Sequence, residues 1–181
     1  MSIGRRHRRL IGTVAAVLLV AAAAGVYLFE PWKLFTSTTV DEALPTAPAA
    51  AAPASPAPNA PSSAPSAPLE LARGGFASGE HPTTGTARLL KLPDASTVLR
   101  LEDLATSEGP DVRVYLSTLP AERSKLDDLG PGAVELAPLK GNRGNQNYTV
   151  PSGTDLSGVH SAVIWCKRFS VGFGAADLAT T

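Results

Sequence analysis

Two hydrophobic patterns divide this chain. Residues 10–29 carry no charged side chain, so one apolar run extends over twenty positions. From residue 73 onwards the apolar residues fall in short runs, and the clearest of these alternates Val112, Val114 and Leu116 with more polar neighbours. The first pattern predicts a long apolar helix, and the period of two in the second predicts β-strands.

The C-terminal segment, residues 73–181, is predicted to form a small, mainly β domain. Strands are predicted at 84–92, 96–104, 111–117, 134–139 and 148–150, and within 161–173. Glycine-rich segments predict a hairpin connection over 79–85 and a turn over 141–147, and 121–129 is predicted to be a short helix or an ordered loop. Short strands at regular spacing are typical of an antiparallel β-sandwich or barrel.

The apolar segment 10–29 predicts a single transmembrane helix. Twenty residues at about 1.5 Å each span about 30 Å, the thickness of the hydrocarbon core of a bilayer. Four arginines between residues 5 and 9 predict that the tail 1–9 is cytoplasmic and that the C-terminal domain is extracytoplasmic. A cleaved signal peptide is the alternative, because residues 21–24 offer small side chains for cleavage. The length of the apolar run favours an uncleaved, single-pass anchor in the cell membrane.

A linker, residues 30–72, is predicted to join the helix to the β domain. Alanine, proline and serine dominate it from residue 43, and a proline every few residues prevents both helix and sheet. The linker is therefore predicted to be disordered, and thirty residues of extended chain could reach about 90 Å. On this interpretation it is a spacer that lifts the domain off the membrane.

The charge balance narrows the range of partners. The chain holds 16 Lys+Arg and 16 Asp+Glu, and from residue 73 on the count is 11 basic against 12 acidic side chains. A domain near neutrality offers no basic surface, so no nucleic-acid partner is expected. The abundance of alanine and proline, and the use of arginine over lysine, are typical of a bacterium with a GC-rich genome.

Cys166 is the single cysteine of the chain, so an intramolecular disulfide and cysteine-pair metal sites are excluded. It is a candidate redox thiol or cofactor ligand, and Lys167 and Arg168 next to it could lower the pKa of the thiol. Neighbours on a strand point to opposite faces, however, so these cations need not lie near the sulfur. The alternative is that Cys166 is a small buried hydrophobic residue, which is common for a free cysteine.

His81 and His160 are the histidines of the predicted domain, and either could serve as a second ligand to a cofactor or a metal beside Cys166. The alternative for each is a surface histidine in a turn. No HxxxH or HxxE spacing supports a zinc site, and no metal site is predicted. A Gly-x-Ser-x-Gly motif is absent, so a hydrolase is poorly supported.

Several segments of residues 73–181 together resemble the DM13 domain, a module of bacterial lipoproteins, bacterial membrane proteins and animal cell-surface proteins. The matching segments are 76–81, 84–87, 98–101, 109–111, 114–117, 139–141, 144–148, 155–156, 163–171 and 173–178. Their order and spacing carry the resemblance, since each is short and unspecific alone.

The resemblance implies electron transfer or oxidative modification at a cell surface, through a characteristic cysteine that corresponds to Cys166. That cysteine is proposed to act as a bare thiol or as the ligand of a prosthetic group such as haem. No cytochrome-like domain accompanies the domain here, so a separate redox partner protein is expected. The chain is thus expected to be an electron-transfer module rather than a stand-alone enzyme, and a non-catalytic binding or adhesion module is the alternative.

Overall fold

The computed structural model describes residues 3–30, 32–33, 36–45 and 67–180. The chain forms two compact units, Met1–Thr36 and Ser37–Thr181. The first unit contains the helix α1 (Ile3–Phe29), and its segment His7–Leu28 is long and apolar enough to cross a membrane, as a signal sequence also can be. The predicted linker falls partly outside the described residues, at 46–66.

The second unit is built almost entirely from short strands. Its described residues form β1 (Thr39–Asp41), β2 (Leu69–Ser78), β3 (Thr84–Lys91), β4 (Thr97–Ala105), β5 (Val112–Ser117), β6 (Val134–Pro138), β7 (Arg143–Thr149), β8 (Ser161–Cys166), β9 (Val171–Asp177) and β10 (Ala179–Thr180). One helical turn, α2 (Ala121–Ser124), follows β5, and a 3₁₀ turn (Leu156–Gly158) precedes β8. The prediction of a mainly β fold is confirmed.

All ten described strands belong to one curled sheet. Their order is β1-β7-β4-β3-β2-β9-β8-β5-β6, and β10 pairs with β2 beside this path. Pairing is antiparallel except between β1 and β7. The ten-residue strand β2 pairs with β3 along its first part and with β9 through Phe76–Ser78, so it carries the sheet from one half to the other.

The curl encloses a core between the two halves of the sheet. Leu89, Leu99 and Leu101 come from one half, and Val114 and Ile164 come from the other, and all five side chains are buried. Burying such aliphatic side chains contributes about 1.5–3 kcal/mol each, which is how a domain without disulfides is held together.

Strand β8 is buried on both faces. Ala162, Ile164 and Cys166 face the central core, whereas Val163 and Trp165 belong to a second apolar cluster on the opposite face, with Tyr115, Ala121, Ala175 and Leu129. This second cluster includes residues of α2 and the segment that follows it, which cover the outer face of the sheet. The absence of a polar face explains why the sequence around β8 shows an apolar run and not clean alternation.

One sequence prediction differs from the structure. The turn predicted at 141–147 is wrong from Arg143 on, because β7 starts there, and the buried Gln146 holds its amide group against the backbone of Gly141. Within 161–173, where strand structure was predicted, β8 and the start of β9 form a hairpin with its turn at 167–170.

The predicted linker also contains ordered strands in its described parts. β1 lies entirely within 30–72, and β2 begins four residues before position 73. β1 pairs with β7, about a hundred positions later in the sequence, whereas β2 pairs with the next strand, β3, and with the distant β9.

Candidate functional site

Cys166 is the last residue of β8 and lies inside the core. Its neighbours in the adjacent strands are Val112 of β5 and Val171 of β9. The side chain is 0% exposed and belongs to the central apolar cluster, as does that of Phe173. No described residue makes a hydrogen bond to the sulfur. The thiol therefore has the surroundings of a small buried hydrophobic residue.

Lys167 follows Cys166 in sequence, but its ammonium group pairs with a carboxylate and not with the thiol. Nζ of Lys167 donates a hydrogen bond to Oε2 of Glu135 at 2.9 Å. The backbone N–H of Lys167 donates to the carbonyl oxygen of Asp111, which closes the end of the ladder at 2.8 Å. The cation is thus engaged by a carboxylate of β6, as the alternation of strand side chains allows.

Glu135 is the centre of a polar cluster close to the end of β8. It accepts hydrogen bonds from the Tyr115 hydroxyl at 2.6 Å, from Lys167, and from Arg113, whose Nε also donates to Asp111 at 2.7 Å. The Tyr115 hydroxyl, Lys167 and Arg113 together lower the pKa of Glu135 to about 2. Burial and the bond to this carboxylate raise the pKa of Tyr115.

The sequence did not indicate a role for Glu135, although it predicted the strand that contains this residue and the strand that contains Tyr115. Tyr115 and Glu135 are twenty positions apart. Only the pairing of Tyr115 with Glu135 between β5 and β6 brings them together. The available signal was weak, since one carboxylate on a half-buried strand is also what a solvated edge would show.

His160 lies at the opposite end of β8 from Cys166. Its backbone N–H donates to Ser117 and its carbonyl oxygen accepts from Leu178, so the chain is already extended there, and the side chain is exposed. Six residues of extended chain at about 3.3 Å each separate the two residues by about 20 Å. The strand therefore does not bring His160 and Cys166 together as ligands of one centre.

His81 lies in the connection between β2 and β3. Its ring packs on the ring of Phe173, with the centroids 3.9 Å apart and the planes tilted by 39°. Burial lowers the pKa of His81, against the opposing effect of the neighbouring Glu80 carboxylate. His81 is thus a partly buried aromatic contact at the edge of the core, and Phe173 lies in the same apolar cluster as Cys166. The predicted hairpin connection at 79–85 is where β2 turns into β3.

The residues around Cys166 do not fit a haem as they are packed. To bind haem, the sulfur would have to be free to coordinate the iron, and an apolar cavity of several hundred Å³ would have to lie next to the sulfur for the porphyrin. Val112, Val171 and Phe173 instead pack in the same cluster as the sulfur. Within the described parts of the chain, no group of three or more His, Cys, Asp and Glu side chains could hold a metal ion.

Comparison with known proteins assigns the family. The family model described as "Electron transfer DM13" matches residues 75–178, which is more than half of the chain and covers β3 to β9 with the last four residues of β2. No curated protein and no solved structure matches the chain. The match confirms the resemblance drawn from the separate segments, and the chain belongs to the electron transfer DM13 family.

Proposed function

We propose that this protein is a membrane-anchored, extracytoplasmic electron-transfer module, in which Cys166 is the redox group. The family assignment supports electron transfer, and the single cysteine at the end of β8 supports the choice of residue. Arginines before α1 favour a cytoplasmic N-terminus, and hence an extracytoplasmic domain in the cell membrane.

The burial of Cys166 limits how it can act. A thiol reacts as the thiolate, and an apolar environment disfavours that charge. As a bare thiol, Cys166 would give one electron to a partner protein and one proton to water, which leaves a thiyl radical; one electron from the partner and one proton from water would restore the thiol. Since the sulfur is fully covered, this exchange requires the turn 167–170 between β8 and β9 to open.

The turn is the part of the site that is suited to opening. Residues 167–169 are exposed, and Ser170 is held at φ 53°, in the left-handed region that a side chain disfavours. Cys166 and Val171 form the last pair of the β8–β9 ladder, so fraying of a single pair would reach the sulfur. A redox partner would then dock at this end of the domain.

Alkylation of Cys166 tests this function on the full chain in mild detergent. Its rate is measured against pH, in native buffer and in denaturant. The proposal expects slow but measurable native alkylation that a Ser170→Gly variant slows further, because glycine relieves the strain of the left-handed conformation, stabilises the closed turn against opening and leaves the thiol itself unchanged. Ala95→Gly is the matched control, since Ala95 also has a left-handed backbone, at φ 68°, in the hairpin between β3 and β4.

A non-catalytic binding module is the second candidate function, and the burial of Cys166 favours it. If native alkylation is undetectable in all three proteins while denatured protein reacts fully, the bare-thiol mechanism is refuted. If the absorption spectrum of the purified chain then shows no bound chromophore, the binding module is the candidate function that remains.

A further inference from the structure

We infer that residues 37–43, here called the strap, form an intramolecular docking strand that shortens the tether between the domain and α1. The strap lies outside the residues that match the family model. Its strand β1 adds to the outer edge of β7 in parallel register, with Val40 opposite Gly144. Without the strap, β7 would be an open edge of the sheet.

Backbone hydrogen bonds fasten the strap along its whole length. The N–H of Arg143 donates to the carbonyl oxygen of Thr38 at 3.2 Å, and the N–H of Glu42 donates to Asn145 at 2.8 Å. At the start of the strap, the N–H of Thr38 donates to Oδ1 of Asn142 at 2.7 Å. Asn142 is itself buried and donates to the Thr106 carbonyl, so the strap is tied to the interior of the domain.

Two glycines make room for the strap. A Cβ at Gly141 would meet the carbonyl oxygen of Thr38, and a Cβ at Gly144 would overlap that of Val40. Gly144 also has φ +95°, a conformation that other residues disfavour. The glycine-rich segment that resembles a turn in the sequence is therefore the surface on which the strap lies.

Charged side chains complete the docking surface. Arg100 is 8% exposed, and its Nη1 donates to the backbone carbonyls of Glu42 and Ala43 at 3.1 and 3.2 Å. The Glu42 carboxylate accepts from Nζ of Lys140 at 2.6 Å and from the N–H of Asn147 at 2.7 Å. Within the domain, Nε of Arg100 also donates to Glu102 at 2.7 Å and Nη1 to Oδ1 of Asn147 at 2.9 Å, so the strap adds acceptors to a guanidinium that the domain already orients. The strap and the domain thus have complementary groups at every step.

The consequence concerns the length of the tether. With the strap docked, nine residues, 30–38, join α1 to the sheet, and at about 3.5 Å per residue they reach about 35 Å at most. If the strap were free, the forty positions from Phe29 to Leu69 would span more than about 120 Å. With the strap docked, residues 44–68 would connect β1 to β2 and would not lengthen the tether, so a redox partner would be met close to the membrane.

Cleavage between the two strands tests the inference on the full chain in liposomes. A recognition sequence for a site-specific protease is inserted after residue 55. After complete cleavage, the fragment that ends at Thr181 is expected to sediment with the liposomes, because the strap still binds β7. The Glu42→Pro variant removes a donor and a carboxylate of the strap, and it is expected to release most of this fragment.

Leu44→Pro is the matched control, because Leu44 lies just beyond β1 and its N–H makes no hydrogen bond to the described residues. It should retain the fragment as the parent chain does. Equal release from the parent chain and from Glu42→Pro would overturn the inference. Co-purification of two differently tagged copies would also overturn it, since the strap of one copy would then lie on another.

The inference rests on the proposed function in one respect, the anchoring of α1 in the membrane. A failure of this anchoring can be told apart from a failure of the strap to dock. If the N-terminal fragment itself leaves the liposomes, α1 is not an anchor. Size-exclusion chromatography of the cleaved chain then decides about the strap. Co-elution of the two fragments of the parent chain supports docking. If these fragments separate as completely as those of the Glu42→Pro variant, docking is contradicted.

Discussion

Replacing Cys166 by alanine and by serine measures what surrounds the sulfur. Cys166→Ala removes one heavy atom from a fully buried site, and we expect it to lower the free energy of unfolding by about 1–1.5 kcal/mol. Cys166→Ser keeps the size of the side chain but places a hydroxyl at a position where no described residue makes a hydrogen bond to the parent sulfur. An unsatisfied buried hydroxyl costs about 1–3 kcal/mol, so the serine variant should be the less stable of the two by about 1–2 kcal/mol.

The assay is urea unfolding of the full chain in mild detergent, in a Trp32→Phe background so that the fluorescence followed is that of Trp165, which is 6% exposed in the second cluster. Linear extrapolation gives each free energy, provided that the slope with urea stays the same. A serine variant as stable as the alanine variant, or more stable, would refute the apolar environment. It would show that the sulfur has a polar partner or contact with water.

Three further predictions concern the surroundings of the site. Because the pKa of Glu135 is lowered to about 2, its contribution to stability is present above about 4.5 and is lost as the pH falls towards 2; Glu135→Gln should flatten the fall in unfolding free energy over that window, and an unchanged profile would contradict the prediction. Burial against Phe173 should shift the NMR titration midpoint of His81 below 6.5, and a midpoint at or above 6.5 would remove the ring contact from the account. Gln146→Ala should lower the free energy of unfolding by about 2–4 kcal/mol, since it removes the acceptor of the Tyr148 hydroxyl proton and the donor to the buried Gly141 carbonyl; a loss below about 0.5 kcal/mol in denaturant titration would contradict this.

Two strands were predictable from the sequence. The predicted strand 111–117 corresponds to β5, Val112–Ser117, and the predicted strand 96–104 corresponds to β4, Thr97–Ala105. Apolar residues at every second position mark such strands, which is why both are found within one residue at each end, although the fold also buries Tyr115 and Ser117 on the other face of β5.

Strand β7 could not be predicted, because its sequence favours a turn. Its glycine and asparagines lie in a strand because the tertiary environment overrides their local preference. Gly144 is needed where Val40 approaches, and Asn145 and Asn147 contact the strap. A partner strand about a hundred positions earlier leaves no local signal in β7.

The state of Cys166 was also open in the sequence. An apolar strand does not show by itself which side chains meet the core, so the burial of the sulfur depends on its packing with Val112 and Phe173 in the central cluster, which only the fold assembles. Likewise, the pairing of Lys167 with Glu135 spans 32 positions and decides that this cation does not serve the thiol.

Electron transfer through Cys166 is tested most directly by a redox titration of the full chain beside its Cys166→Ala variant, in detergent and without added cofactor. We expect a reversible redox transition in the parent chain that the variant lacks, with the fold of both checked by Trp165 fluorescence. The same transition in both proteins, or none in either, would contradict the role of Cys166 in electron transfer.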